Sequence, residues 1–381
     1  MANILLTGGR APVTLDLARA FHRAGHTVLM AESLRGHLSE PSKAIQENFL
    51  VPPPRQQTAA FLNALKDIIT QHKIDLLIPT CEEVFYVSMG RDQLPCKVFA
   101  DSIDQLHTLH NKWYFILKAI DHGLRVPETA LIKKLDDLLL AYAHWRGLVL
   151  KPVYSRFAAR TKILLPLRKA MSTLTYESPW IAQEYVKGGQ ICTYSVCHNG
   201  HITAHTAYLS EFTAGQGATI VFKHINHTGT FDWVKKFVEA IQFTGQIGFD
   251  FMQTPDGQVF ALECNPRATS GLHILAGQPE FIDSFFNETM PPVIPNHRSS
   301  YMLSTAMLLY GLPASILKGR FGKWLRTFWV SDDVILDDQD LKPFLLQFRS
   351  ILYYSKLARE HKISPLEAST FDIEWNGDNG S

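Results

Sequence analysis

Long apolar runs, paired cysteines and an excess of either charge are all missing from this chain of 381 residues. No stretch approaches the ~20 consecutive apolar residues that span a bilayer, so no membrane partner is expected. Lys and Arg number 37 against 36 Asp and Glu, a net charge of +1. That balance argues against holding nucleic acid by bulk charge. The five cysteines, at 81, 96, 192, 197 and 264, are an odd count without a C-x-x-C pair. Neither a disulfide framework nor a zinc site is expected from them, and a reduced, cytoplasmic setting is. The opening MANILLTGGR lacks a basic n-region and a small-residue cleavage site, and reads as a buried strand instead of a leader. Repeats and low-complexity segments are absent too.

What is present is an ordinary globular composition, 46% hydrophobic and 19% charged, in a chain long enough for two to three compact units. Short apolar strands alternate with amphipathic helices at the start: NILLT, a helix from Pro12 to Ala24, HTVLMAE, a helix over 57–72, DLLIPT and KVFAD. This alternation signals a small doubly wound parallel sheet. Residues 102–147 read as mostly helical, with a break at Val126-Pro127. From Leu148 the texture is strand and turn, with an Asn-Gly hairpin signal at 199–200 and a helix over 232–245. After Arg298 the chain is apolar and helical. Leu341, Phe344, Leu345, Phe348, Leu352 and Leu357 form a stripe at helical spacing, expected to pack on the core. A homodimer face or a membrane contact is the rarer alternative for it. The polar ending DIEWNGDNGS is expected to fray.

The densest chemistry lies in GQIGFDFMQTPDGQVFALECNPRATSG. Glu263 and Asn265 are two apart and share a face of one strand. A two-residue loop would put Asp250 on that face opposite Ala261, and a longer, bulged connection would shift the register. Two carboxylates and an amide oxygen are hard ligands suited to Mg²⁺. Polar residues capping a strand end near water would look the same. A second stretch, LVLKPVYSRFAARTKILL, puts Lys151, Ser155, Arg156, Arg160 and Lys162 around a loop without glycine, where a plain hairpin tip would favour Asn, Asp or Gly.

LECNPRATSG resembles the E-x-N-P-R signature of the ATP-grasp superfamily, near its carbamoyl phosphate synthetase and biotin carboxylase branch. The resemblance extends over about residues 1–280. It implies an α/β and α+β chain: a Rossmann-like leading domain (1–103), a two-subdomain ATP-grasp fold (104–298, its small subdomain about 126–188) and a mainly helical C-terminal region (299–381). It further implies ATP with Mg²⁺, or Mn²⁺ in its place, held by Asp250, Glu263 and Asn265. Arg267 would stabilise the transferred phosphoryl group. Lys112 and Lys151 match the family's phosphate lysines. In IAQEYVKGGQ, Glu184, Tyr185 and Val186 match the adenine hinge. Gln190 stands where the family usually has a ribose-binding Glu. The glycine-free loop departs from the family's amide cradle, so Ser155 and Arg156, with Arg160 as the second choice, are expected to contact the phosphates through side chains.

The activity implied is a ligase that makes an acyl phosphate and ADP from a small carboxylate, for attack by an amine or other nucleophile. Bicarbonate activation and a non-catalytic nucleotide-binding role are the alternatives. Arg10, Glu32, Ser33, Glu82 and Glu83 fall at the C-terminal ends of the leading strands, where open α/β sheets place ligands.

Overall fold

Five short parallel strands open the chain: β1 (Asn3–Thr7), β2 (Thr27–Glu32), β3 (Glu47–Leu50), β4 (Leu76–Ile78) and β5 (Lys97–Val98). They come from a computed structural model that describes residues 1–155, 160–214, 217–295 and 299–377. Their order is β3-β2-β1-β4-β5, a doubly wound sheet. Ile4, Leu5, Leu6, Leu77 and Ile78 are completely buried, as central strands covered on both faces require.

A four-stranded antiparallel sheet follows, from β6 (Thr129–Ile132), β7 (Leu148–Pro152), β8 (Lys162–Ile163) and β9 (Trp180–Glu184), in the order β6-β9-β7-β8. The helices expected before it are Ile103–His110, Lys112–Asp121 and Leu135–His144, but β6 interrupts them. A proline disfavours helix in the residue before it. The chain leaves the helix ahead of Pro127 and pairs with β9 from Thr129.

The third sheet is the largest: β10 (Gly189–His198), β11 (His201–Ala214), β12 (Ala218–Ile225), β13 (Gly245–Gln253), β14 (Val259–Asn265), β15 (Ser300–Met302) and β16 (Asp332–Asp333). Its order is β14-β13-β10-β11-β12-β15-β16. Asn199 and Gly200 turn β10 into β11 with φ of 46° and 82°, the positive values that make Asn-Gly a tight hairpin signal. The helix expected at 232–245 runs from Thr228 to Ile241. His227 caps it by accepting from the Thr230 N–H, and the left-handed Gln242 (φ 52°) stops it.

The C-terminal region departs from expectation twice. It contributes β15 and β16 to the main sheet as well as helices, the longest being Lys342–His361. On that helix the apolar stripe does not pack inward as a whole. Leu345, Phe348 and Leu352 are 65%, 55% and 70% exposed, while Gln347, Ser350 and Ala358 are buried. Small and polar side chains allow close approach to a polar backbone edge, and the Ser350 hydroxyl donates to the Gly36 carbonyl at 2.7 Å. Phe344 packs against an inner cluster.

The second departure is the ending. Residues 372–377 do not fray but lie on the leading sheet. Trp375 is 1% exposed, stacked on Phe85 and edge-on to Tyr86. No helix among the described residues is long and apolar enough to cross a membrane.

Candidate active site

The hairpin of β13 and β14 fixes the acidic face. Its register pairs Asp250 with Glu263 and Gly248 with Asn265, and then shifts so that Phe251 faces Ala261. Leu262 is the extra residue, a bulge. A two-residue loop would have set Asp250 opposite Ala261. The longer connection through Thr254–Gln258 and the bulge bring the two carboxylates together instead.

Burial, and then repulsion from Glu263, raise the Asp250 carboxyl. Burial acts on Glu263 in the same sense but is outweighed by Lys112 and Lys151, so Glu263 is held below the usual range. Two facing carboxylates, one of them strained toward protonation, are a donor set that a divalent cation would relieve. With the Asn265 amide beside them, the residues fit a bound Mg²⁺.

Cations surround this pair. The helix Lys112–Asp121 is capped by Asn111, whose side chain accepts from the Trp113 and Tyr114 N–H groups. That cap points its first residue at the hairpin: Lys112 Nζ lies 3.6 Å from Glu263 Oε2 and donates to the Ser155 carbonyl at 3.1 Å. Ser155 therefore enters through its backbone. Lys151, on β7, is buried and donates to Gln183 Oε1 at 3.0 Å. Burial holds its ammonium below the usual lysine range, and Lys112 pushes the same way. Arg156 lies outside the described residues.

A cavity of about 570 Å³ collects most of these groups. Its walls include Lys151, Glu184, Tyr185, Val186, Gln190, Asp250, Glu263, Asn265 and Arg267. Lys112 and Ser155 are not among its lining residues, and Lys112 reaches it through Glu263. The hinge needs one revision. The Tyr185 N–H is committed to the Gly147 carbonyl at 3.1 Å, so of the two backbone N–H groups expected at a base edge that one is already taken. Sequence reasoning missed Gln183, which holds Lys151, although a lone amide in the apolar strand WIAQE was a signal.

Arg267 stands where this cavity meets a second one of about 310 Å³, also lined by Pro12, Glu82, Phe222, Leu303 and Ile373. Its guanidinium donates to Asn265 Oδ1 and the Ala268 carbonyl, both at 3.2 Å. Its Nε lies 3.9 Å from Glu82 Oε1. The other Glu82 oxygen accepts from the Trp375 N–H at 3.3 Å. Of the leading-sheet residues, Glu82 thus reaches the site. Arg10, Glu32 and Ser33 form a cluster with Asp372. Glu83 turns inward to the Thr7 hydroxyl and the Thr80 and Cys81 N–H groups.

Residues 109–271 match the family model for the ATP-grasp domain. An uncharacterized protein of Methanocaldococcus jannaschii is 23% identical over 202 residues, 53% of this chain and 50% of that one. The match thus spans about half the length of that curated relative. The fold is similar to N5-carboxyaminoimidazole synthetase from Staphylococcus aureus, with a TM-score of 0.65, 14% identity, and 83% and 86% of the two chains covered. For L-amino acid ligase from Bacillus licheniformis the figures are 0.62, 12%, 80% and 80%. For biotin carboxylase from Campylobacter jejuni they are 0.60, 11%, 75% and 70%. At these identities the likeness is one of fold.

Proposed function

Because residues 109–271 match the model for the ATP-grasp domain, we propose that this chain is an ADP-forming ligase that activates a small carboxylate with Mg²⁺-ATP. The observation that carries this reading is one cavity lined by the facing Asp250 and Glu263, by Asn265, Lys151 and Arg267, and by the hinge Glu184–Val186. Its neighbours in fold include proteins named as a synthetase, a ligase and a carboxylase.

In this reading the base lies against Val186 and Glu184, and Gln190 meets the ribose, since an amide can both donate to and accept from hydroxyls. Lys112 and Lys151 neutralise phosphate oxygens. Asp250, Glu263 and Asn265 would hold Mg²⁺, which supplies charge compensation for the phosphates. An acceptor carboxylate oxygen attacks the γ-phosphorus, the bond to the β-phosphate oxygen breaks, and ADP leaves. Arg267, at the junction of the two cavities, stabilises the charge on the transferred group. An amine then attacks the acyl carbon, the bond to phosphate breaks, and the amine proton passes to solvent. The residues position and neutralise, and none forms a covalent intermediate.

The test is a screen of carboxylates for Mg²⁺-dependent release of ADP, with hydroxylamine present to trap the acyl phosphate as a hydroxamate. ADP with hydroxamate is expected. Stoichiometric AMP and pyrophosphate would reject the mechanism. ADP release that depends on bicarbonate alone, with no organic hydroxamate, would mean carboxyphosphate formation instead.

A further inference from the structure

Open α/β sheets bind ligands at the carboxyl ends of their strands. In this chain that edge is taken by the protein itself. Residues 365–377 cross it, anchored at several points. The Arg55 N–H donates to the Asp372 carbonyl at 2.9 Å, Arg55 pairs with Glu374 at 3.2 Å, and the Tyr86 hydroxyl donates to the Glu374 carbonyl at 2.7 Å. Trp375 fills the slot beside Phe85 and Tyr86.

The chief anchor is Arg10, the cation that follows Gly8-Gly9 and would be the natural partner of an anionic ligand. All five of its guanidinium N–H groups are committed. Nε and Nη2 reach the Glu32 carboxylate at 3.1 and 2.5 Å. Nη1 and Nη2 reach Asp372 at 2.5 and 2.9 Å. The remaining contacts go to the Ser369 carbonyl at 3.0 Å and the Ser33 hydroxyl at 2.8 Å. The Arg10 backbone N–H donates to Glu32 as well.

One cation against two carboxylates leaves the cluster at −1. The burial of the two acids works against ionisation, but Arg10 outweighs it and keeps both charged. At the glycine turn a Cβ on Gly8 would sit 2.5 Å from Thr80 Oγ1, and one on Gly9 2.7 Å from His37 Nδ1, so the turn is packed closely against neighbouring side chains.

We propose that the C-terminal segment 365–377 is a built-in wall of the acceptor cavity, its Asp372 carboxylate standing in for a ligand's anionic group at Arg10, so that the acceptor is a small molecule with an apolar body and no phosphate. This rests on the ligase reading, which makes the 310 Å³ cavity beside Arg267 the acceptor site. At about 30 Å³ for each water-sized group, that space holds roughly ten non-hydrogen atoms. Val13, Phe222, Leu303 and Ile373 supply apolar lining, and Arg267 takes the reacting carboxylate. Arg10 borders the same cavity with no donor to spare.

Two measurements test the wall. In the ADP-release assay, carboxylates are compared as matched pairs with and without a phosphate ester. The unphosphorylated member should be favoured by about a hundredfold in kcat/KM, the scale on which a site rejects a group it leaves unpaired. Preference for the phosphorylated members overturns the proposal.

The second measurement needs no turnover. The chain is saturated with Mg²⁺ and a non-hydrolysable ATP analogue, and inorganic phosphate is titrated by calorimetry. The wild type should give no binding, whereas Asp372→Ala, which frees a guanidinium donor on Nη1 and removes one negative charge, should acquire it. Phosphate binding by the wild type that is lost in Arg10→Gln, or no gain in an Asp372→Ala protein with the wild-type circular dichroism spectrum, overturns the proposal. If Asp372→Ala does not fold, the wild-type titration and the matched pairs decide. Failure of every carboxylate to release ADP sinks the ligase reading, and the titration still judges the wall.

Discussion

Asp250 and Glu263 face each other directly across β13 and β14, and the two are driven to opposite protonation preferences. Glu263 has the cations, with Lys112 Nζ at 3.6 Å, while Asp250 bears the burial and the repulsion. Glu263→Gln should therefore leave the fold intact, because it removes a like-charge contact even as it frees Lys112. Charge compensation at the phosphates is lost, and kcat should fall by at least ~10²-fold, as when a transition-state partner is removed. Mg²⁺-dependent ADP release and the melting temperature check this. Near-normal activity in a folded Glu263→Gln protein would remove Glu263 from the site.

Glu82 bridges Arg267 and the C-terminal segment, with Arg267 Nε 3.9 Å from one oxygen and the Trp375 N–H on the other. Glu82→Gln keeps the volume and a hydrogen-bond acceptor but removes the negative charge that faces Arg267, whose guanidinium is otherwise held by Asn265 and Ala268. A small misplacement of a transition-state group is costly, so kcat should drop about tenfold or more. ADP affinity should be unchanged, since Glu82 lies outside the larger cavity. Equal losses in kcat and ADP binding would show that Glu82 only supports the fold.

Why the acidic face could be read from residues, and the C-terminal segment could not, follows from how local each signal is. Glu263 and Asn265 share a face by strand periodicity alone. Lys112 was legible from its match to the family's phosphate lysine, and the Asn111 cap places it at the first turn of its helix. The Asp250 register was open, since one bulge residue, Leu262, decides which carboxyl meets which. The ending looked polar and loose because its anchors, Arg10, Arg55 and Tyr86, lie some 290 to 360 positions away. Its alternating Phe371, Ile373 and Trp375 was the available clue, as apolar alternation marks a segment laid against a surface. The stripe on the last long helix misled for the opposite reason. Helical spacing says which residues share a face, and only the partner surface says whether that face is inward.

The Arg10 cluster predicts a pH dependence with a definite sign. Burial alone would raise the Asp372 carboxyl, yet Arg10 holds it below the usual aspartate range. A carboxylate depressed on folding contributes stability that is complete above its unfolded pKa and is lost as the pH falls through the folded one. Asp372→Asn should thus cost about 3 kcal/mol near neutrality, the scale for breaking a buried pair. The gap between wild type and variant should narrow below about pH 4, the unfolded aspartate value. Denaturant melts of both proteins at pH 7, 5 and 3 measure it. A gap that stays constant would mean that Asp372 acts through packing and not through charge.

Truncation after Arg298 tests whether the C-terminal region is an accessory or part of the core. The cut removes β15, which pairs with β12 through Met302, Tyr301 and Ser300. It also removes Met302, Met307 and Trp324, which pack on Ile220 and Val221. The inner edge of the main sheet would then present unpaired N–H and C=O groups beside bare apolar side chains, the combination that templates aggregation. Asp340 goes as well, and it is the acceptor for Arg19 at 3.0 Å. Arg19 is 4% exposed and would also lose the Val334, Ile335 and Asp340 carbonyls it donates to, keeping only Asp16 at 3.8 Å among its ion-pair partners in the described residues. Insoluble protein is the expected outcome on expression and fractionation. A soluble, monomeric 1–298 chain that releases ADP at the full rate would show that neither the edge strands nor the segment over the leading sheet belongs to the catalytic unit.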